Sequence, residues 1–234
     1  MSRILIGALQ PGARLLGTGI NGARRGVAMF NGQPRGVIVK ECPTEELAAE
    51  CFCALLADAL SVNTPPVGIV FENQTPLFAS IDLQTPNLMQ QFCIDPDVPN
   101  SSELQVLVDE LVQWVGLGRL IALDVLVRNA DRHPGNLLTD GQDYWAIDHG
   151  RTLDLFPYEF HKTYRLISQF SNELVCVNVE SSAISNALTF PAGCESPALN
   201  EVSRHQLVAA YAQKFAELVA IRRPSLASSI KGLL

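Results

Sequence analysis

The chain has 234 residues, 47% of them apolar, with 17 Lys and Arg against 24 Asp and Glu for a formal net charge of −7. A chain this long buries roughly 70% of its unfolded surface, so it forms a core without disulfide or metal staples and reads as one domain. The acidic balance, with no run of Lys or Arg, excludes the concentrated positive footprint of non-specific nucleic-acid or anionic-membrane binders, and no stretch supplies the roughly 20 uncharged apolar residues of a membrane span.

The N-terminus, MSRILIGALQPGARLL, holds only a short apolar patch before glycines and arginines, with no secretory cleavage signature, so a cytoplasmic location is expected. Six cysteines (Cys42, Cys51, Cys53, Cys93, Cys176 and Cys194) suit free thiols of a reducing compartment. Cys51 and Cys53 lack a second Cys or His pair at ligand spacing and read as packing residues of a helix, not zinc ligands. Arg25 to Phe30 and Gly36 to Lys40 read as strands, joined at Asn31-Gly32, where both turn residues tolerate positive φ. Pro43-Thr44 opens a helix to about Leu60, with Glu45 and Glu46 in the first turn and an apolar stripe of Leu47, Cys51, Ala54 and Leu55.

Val67 to Phe71 and Leu77 to Ile81 read as a second pair of strands. Asp82 to Ser102, carrying Pro86, Pro96 and Pro99, has little periodicity and reads as a connector that would serve as a hinge. Leu104, Leu107, Val108, Leu111, Val112 and Val115 recur at helical spacing, and a second helix runs from Leu117 to Val127, with Gly116 and Gly118 as a break or kink between them. A mixed stretch follows, then one amphipathic helix from about Ala198 to Ile221.

The chemistry concentrates in DVLVRNADRHPGNLLTDGQDYWAIDHG, residues 124–150. A hairpin from Asn136-Leu137-Leu138 through the Asp140-Gly141 turn to Tyr144–Ile147 returns Asp148 to the neighbourhood of Asn136. Two hard oxygen donors there suit Mg2+, which keeps several waters and takes one or two protein carboxylates plus substrate phosphates. Asp131, on the same loop, is placed to accept a proton from an attacking hydroxyl. Each of these residues alone is an ordinary turn former; the Asp-x-His-x-x-Asn loop followed by Ile147-Asp148-His149-Gly150 is a restrictive combination.

Upstream, Gly17-Thr18-Gly19-Ile20-Asn21-Gly22 fits G-x-G-x-x-G but precedes strands instead of opening a helix, which disfavours a dinucleotide site. It matches the kinase order of glycine loop, strand and strand lysine, with Lys40 placed to carry a charge to nucleotide phosphates. Glu50 shares its helix face with Leu47 and Ala54 and is the first choice to orient Lys40. Glu46, one turn earlier, is the competitor.

Together these residues resemble the HipA-like kinases of the protein-kinase-like superfamily. The resemblance rests on Asp131-Arg132-His133-Pro134-Gly135-Asn136, on Ala146-Ile147-Asp148-His149-Gly150, and on Val39-Lys40 followed by Glu50. The loop is also similar to those of phosphatidylinositol kinases and aminoglycoside phosphotransferases. The resemblance implies an α+β, bilobal protein-kinase-like fold with a small β-rich lobe carrying one helix (1–85), a connector (86–102) and a mainly helical lobe (103–234).

It implies an ATP- and Mg2+-dependent phosphotransferase, foremost a serine/threonine protein kinase. Asp131 would align the acceptor, and Asn136 and Asp148 would hold metal. Lys40 would contact the α- and β-phosphates with Glu50 orienting it, and Gly17, Gly19 and Gly22 would cover the phosphates. His133 joins the catalytic set as the residue that orders the loop, and Arg132 either neutralises nearby charge or bridges a structural carboxylate. The acceptor would be a protein or small-molecule hydroxyl, and a regulatory protein partner is possible. The alternatives are a small-molecule or lipid kinase, a nucleotide-binding pseudokinase or toxin–antitoxin binding module, and transfer of the nucleotide in place of the phosphoryl group. His149 stands where Phe usually follows the metal-binding Asp, and no His-Arg-Asp triplet precedes the loop.

Overall fold

The computed structural model describes residues 3–17, 22–95, 98–158 and 162–234. Strands β1 (Leu5–Leu9), β2 (Arg14–Leu15), β3 (Arg24–Phe30) and β4 (Gln33–Lys40) precede helix α1 (Thr44–Ala59), and β5 (Val67–Glu72) and β6 (Thr75–Ile81) follow it. The sheet runs β1-β5-β6-β4-β3-β2, and β1 also pairs with β3, so five strands close into a small barrel. Asn31 and Gly32 at the β3–β4 turn have φ of 49° and 77°, as the twist of a two-residue hairpin demands.

Strand β1 was hidden in the N-terminal apolar patch. It runs parallel to β5 and antiparallel to β3, and neither partner is its neighbour in sequence. Closure requires a bare backbone at Gly7, where a Cβ would lie 2.4 Å from the Met29 carbonyl oxygen and 2.7 Å from the Phe30 ring. Leu9, Ala28, Phe30, Val37, Val39, Val70, Leu77 and Ala79 fill the barrel. Val37 and Val39 face inward, so the two-residue period of β4 turns Ile38 and Lys40 outward.

After α2 (Leu88–Gln91) and α3 (Ser101–Leu111), α4 (Leu117–Val127) leads to the hairpin β7 (Leu137–Thr139) and β8 (Tyr144–Ala146). Helices α5 (Lys162–Phe170), α6 (Glu173–Thr189), α7 (Ser196–Val202), α8 (Ala209–Arg222) and α9 (Leu226–Ile230) complete the chain. A second, larger core joins α1 to these helices. Packed between barrel strands and α7 and α8, α1 is buried all round from Leu47 to Ala57, well beyond the single stripe expected. Phe52 of α1 meets Phe215 of α8 edge-on at 5.8 Å.

One local expectation is corrected. The single helix expected from Ala198 to Ile221 is two, α7 and α8, separated by successive turns in which the His205 N–H donates to the Val202 carbonyl and the Val208 N–H to that of His205. The five-residue step from Val202 to Leu207, one residue off the helical rhythm, is where the chain turns. The expected hinge segment carries α2, whose Asn87 and Gln90 form a reciprocal capping box, and its Pro86 carbonyl accepts the Thr139 N–H, pinning it to β7. Among the described residues, no helix is long and apolar enough to cross a membrane.

Candidate active site

Lys40, at the outward end of β4, pairs with Glu50 of α1 and donates to Asp148 Oδ1 at 2.6 Å. Glu50 is 1% exposed, because α1 is enclosed at this level, while Glu45 is exposed one and a half turns earlier. Glu46 reaches the same cluster without an ion pair to Lys40: a Cβ on Gly150 would sit 3.3 Å from Glu50 Oε1, 3.4 Å from Lys40 Nζ and 3.5 Å from Glu46 Oε2. A larger residue at position 150 would therefore press directly on the lysine–glutamate pair.

Two carboxylates share one ammonium here, and the charges tune one another. Burial by itself would lower the pKa of Lys40, but the charges of Glu50 and Asp148 outweigh it and raise it. Burial and the Asp148 charge push Glu50 up against the pull of Lys40. Burial opposes ionisation of Asp148 too, yet Lys40, beside it, draws its carboxyl below the usual range. Asp148 has φ of 60°, in the left-handed region that aspartate enters more readily than most non-glycine residues.

The hairpin joins Asn136 to the segment before Asp148: the Ile147 N–H donates to the Asn136 carbonyl at 3.1 Å. Asn136 is 4% exposed, and its Nδ2 donates to the Asp131 carbonyl at 2.9 Å, so Oδ1 is the amide atom that could hold a metal ion. The donor set is thus one amide oxygen and one carboxylate, both hard. It fits a magnesium ion that completes its shell with water and phosphate oxygens. Among the described residues, no group of three or more His, Cys, Asp or Glu is arranged to hold a metal.

Asp131 lies on the same loop, 27% exposed, with Arg151 Nη1 at 3.6 Å from Oδ2. His133 caps the turn at Pro134–Asn136, its Nδ1 accepting from the Gly135 N–H at 3.1 Å. Gly17 and Gly22, exposed with φ of 71° and 58°, flank the β2–β3 connection; Gly19 lies outside the described residues. The structure thus brings Lys40, Glu50 and Asp148 into direct contact and links Asp131, His133 and Asn136 along one loop.

Of the two roles expected for Arg132, the structure shows the bridge to a structural carboxylate, Asp124, while Asp124, Tyr164 and Arg151 had been given no role from the sequence. Arg132 is fully buried, and its side chain donates twice to Asp124, to the carbonyls of Asn136 and Ile147, and to His149 Nε2. Asp124 also accepts from Tyr164 Oη at 2.7 Å and Asn129 Nδ2 at 3.0 Å. The visible signal for Asp124 was a lone carboxylate interrupting an apolar helix, and for Arg151 its place directly after Asp148-His149-Gly150. Burial, with the Arg132 charge, lowers the His149 pKa to about 3, which keeps the ring neutral. Its backbone N–H donates to Glu50 Oε2 at 2.7 Å.

Neither a protein-family model nor a curated protein matches the sequence. Solved structures do. The proinflammatory kinase CtkA of Helicobacter pylori superimposes with a TM-score of 0.61 at 13% identity, over 94% of this chain and 92% of CtkA. HipA of Shewanella oneidensis MR-1, solved as a toxin–antitoxin complex with HipB and operator DNA, gives 0.58 at 11% identity over 92% of this chain. This chain has their fold. It spans 65% of the HipA chain, under two thirds of that length, and nearly the whole of CtkA.

Proposed function

We propose that this protein is an ATP- and Mg2+-dependent phosphotransferase of the kinase type that transfers the γ-phosphoryl group to a Ser or Thr hydroxyl of a protein. The observation that carries the reading is Lys40 held between Glu50 and Asp148, with Asn136 tied to Ile147 just before Asp148. A lysine fixed by a buried carboxylate is a pre-positioned charge for nucleotide phosphates, and positioning with charge neutralisation is most of what phosphoryl transfer asks of a protein. The shared fold with two proteins, one of them described as a kinase, supports the same class.

In this reading Lys40 binds the α- and β-phosphates and Glu50 keeps it aimed. Asn136 Oδ1 and the Asp148 carboxylate hold the metal, and Gly17, Gly19 and Gly22 let the backbone approach the phosphates. When bound, Mg2+ supplies positive charge to the phosphate oxygens. Asp131 aligns the acceptor hydroxyl and takes its proton; Arg151 beside it offsets repulsion between this carboxylate and the incoming phosphates. His133 holds the loop in shape. HipA is seen with HipB, which supports a regulatory protein partner for this chain as well.

Thermal unfolding tests the nucleotide site. A ligand that binds only the folded state stabilises by about 2.7 kcal/mol at a hundred times its Kd. Mg2+ with ATP is expected to raise the melting temperature of the wild type above ATP with EDTA, and Asp148→Asn is expected to lose that metal-dependent increment. A wild type indifferent to both ligands contradicts the reading.

A further inference from the structure

The Arg132 guanidinium has five N–H donors, and five acceptors meet them. Nε donates to Asp124 Oδ2 at 2.8 Å, and Nη2 to Asp124 Oδ1 at 3.1 Å and His149 Nε2 at 3.3 Å. Nη1 donates to two backbone carbonyls, Asn136 at 2.9 Å and Ile147 at 2.8 Å. Those carbonyls belong to one proposed metal ligand and to the residue immediately before the other. A single nitrogen therefore ties the two halves of the donor set together through their main chains.

The guanidinium is itself fixed from behind. The two-point contact with Asp124 sets its plane, and Asp124 is anchored by Tyr164 and Asn129. Both Arg132 and Asp124 are 0% exposed, so the network stands in a region of low dielectric, where each bond is strong and a missing one is costly. The Arg132 carbonyl accepts the Thr163 N–H and hydroxyl from the start of α5, which binds the loop to the element that supplies Tyr164.

We infer that Arg132, held by Asp124 and Tyr164, is the positioning residue that fixes the main chains bearing Asn136 and Asp148 relative to one another, and with them the proposed metal ligands. The inference rests on the phosphotransferase reading in taking those two side chains as ligands. Arg132 touches neither nucleotide nor metal. It acts through the Asn136 and Ile147 carbonyls. Lysine at this position keeps the charge but offers three donors from one point, so it cannot span Asp124 and both carbonyls.

The test is Mn2+ binding followed by electron paramagnetic resonance on the full chain with a non-hydrolysable ATP analogue. Loss of an outer partner of a metal ligand typically costs roughly 10–100-fold in metal affinity, and that loss is expected for Arg132→Lys. Binding of a fluorescent ATP analogue in EDTA, which reads Lys40 and Glu50, is expected to stay within about twofold of wild type, unlike the general loss that a merely damaged fold gives. A folded Arg132→Lys with wild-type Mn2+ affinity overturns the inference and leaves the phosphotransferase reading standing. A wild type that binds no Mn2+ overturns both. If circular dichroism shows Arg132→Lys unfolded, Tyr164→Phe decides: removing one hydroxyl should weaken Mn2+ in the same direction, and unchanged affinity overturns the inference.

Discussion

His149 shows how one residue couples the site to stability. Burial and the Arg132 charge depress its pKa from 6.5 to about 3, so the folded protein keeps the ring neutral where the unfolded chain protonates it. Between those two values the unfolded state binds more protons. Stability from this residue is therefore fully present above pH 6.5 and is lost progressively as the solution is acidified toward 3. Glu50, pushed up to about 6, works in the opposite sense between 4.5 and 6, because its buried carboxylate is relieved on protonation. The contribution of His149 is thus the difference between wild type and His149→Gln. Urea unfolding at several pH values is expected to give a shallower acid decline in the variant, and parallel declines would contradict this assignment. The residue order Asp148-His149-Gly150 was legible as a motif, but the neutral state of the imidazole was not, since it depends on Arg132, seventeen positions away.

At the scale of elements, what the sequence announces is what is local. The β3–β4 hairpin, α1 and the β7–β8 hairpin were readable because their turn residues and periodicity lie within a few positions of the contacts they make. Strand β1 was not, because its partners are remote, and the α7–α8 turn was concealed by apolar residues continuing on both sides. Gly118 is instructive in the same way. It reads as a break, but it lies within the first turn of α4, where a Cβ would come 2.3 Å from Ser182 Oγ and 2.8 Å from the Ser182 carbonyl carbon of α6. The glycine is a point of close approach between helices. Gly118→Ala is therefore expected to destabilise the protein by about 1–3 kcal/mol, as overpacking does, with chemical denaturation as the measure. A neutral or stabilising result, as helix propensity alone favours, would mean that α6 shifts freely.

For the molecule as a whole, the barrel and the helical core meet at the candidate site. Lys40 leaves the barrel on β4, Glu50 enters from α1 in the larger core, and Asp148 arrives from the hairpin. Sequence logic grouped these residues by motif order, and Lys40 and Asp148 are 108 positions apart, so only the fold could place them in contact. That Arg132 bridges a carboxylate was one of two readings open from the sequence, but its partners Asp124 and Tyr164 stayed illegible for the complementary reason. A buried arginine looks like any surface arginine until the acceptors around it are known.

The central claim is that this arrangement moves the γ-phosphoryl group of ATP to a protein hydroxyl with Asp131 aligning the acceptor. The most direct test incubates wild-type and Asp131→Ala protein with Mg2+, a mixed protein acceptor pool, and ATP labelled at the γ-phosphate or on the adenosine. The account predicts γ-label on Ser or Thr with the wild type, little or none with Asp131→Ala, and no adenosine label with either. Adenosine label on protein, or γ-label undiminished by Asp131→Ala, would contradict it.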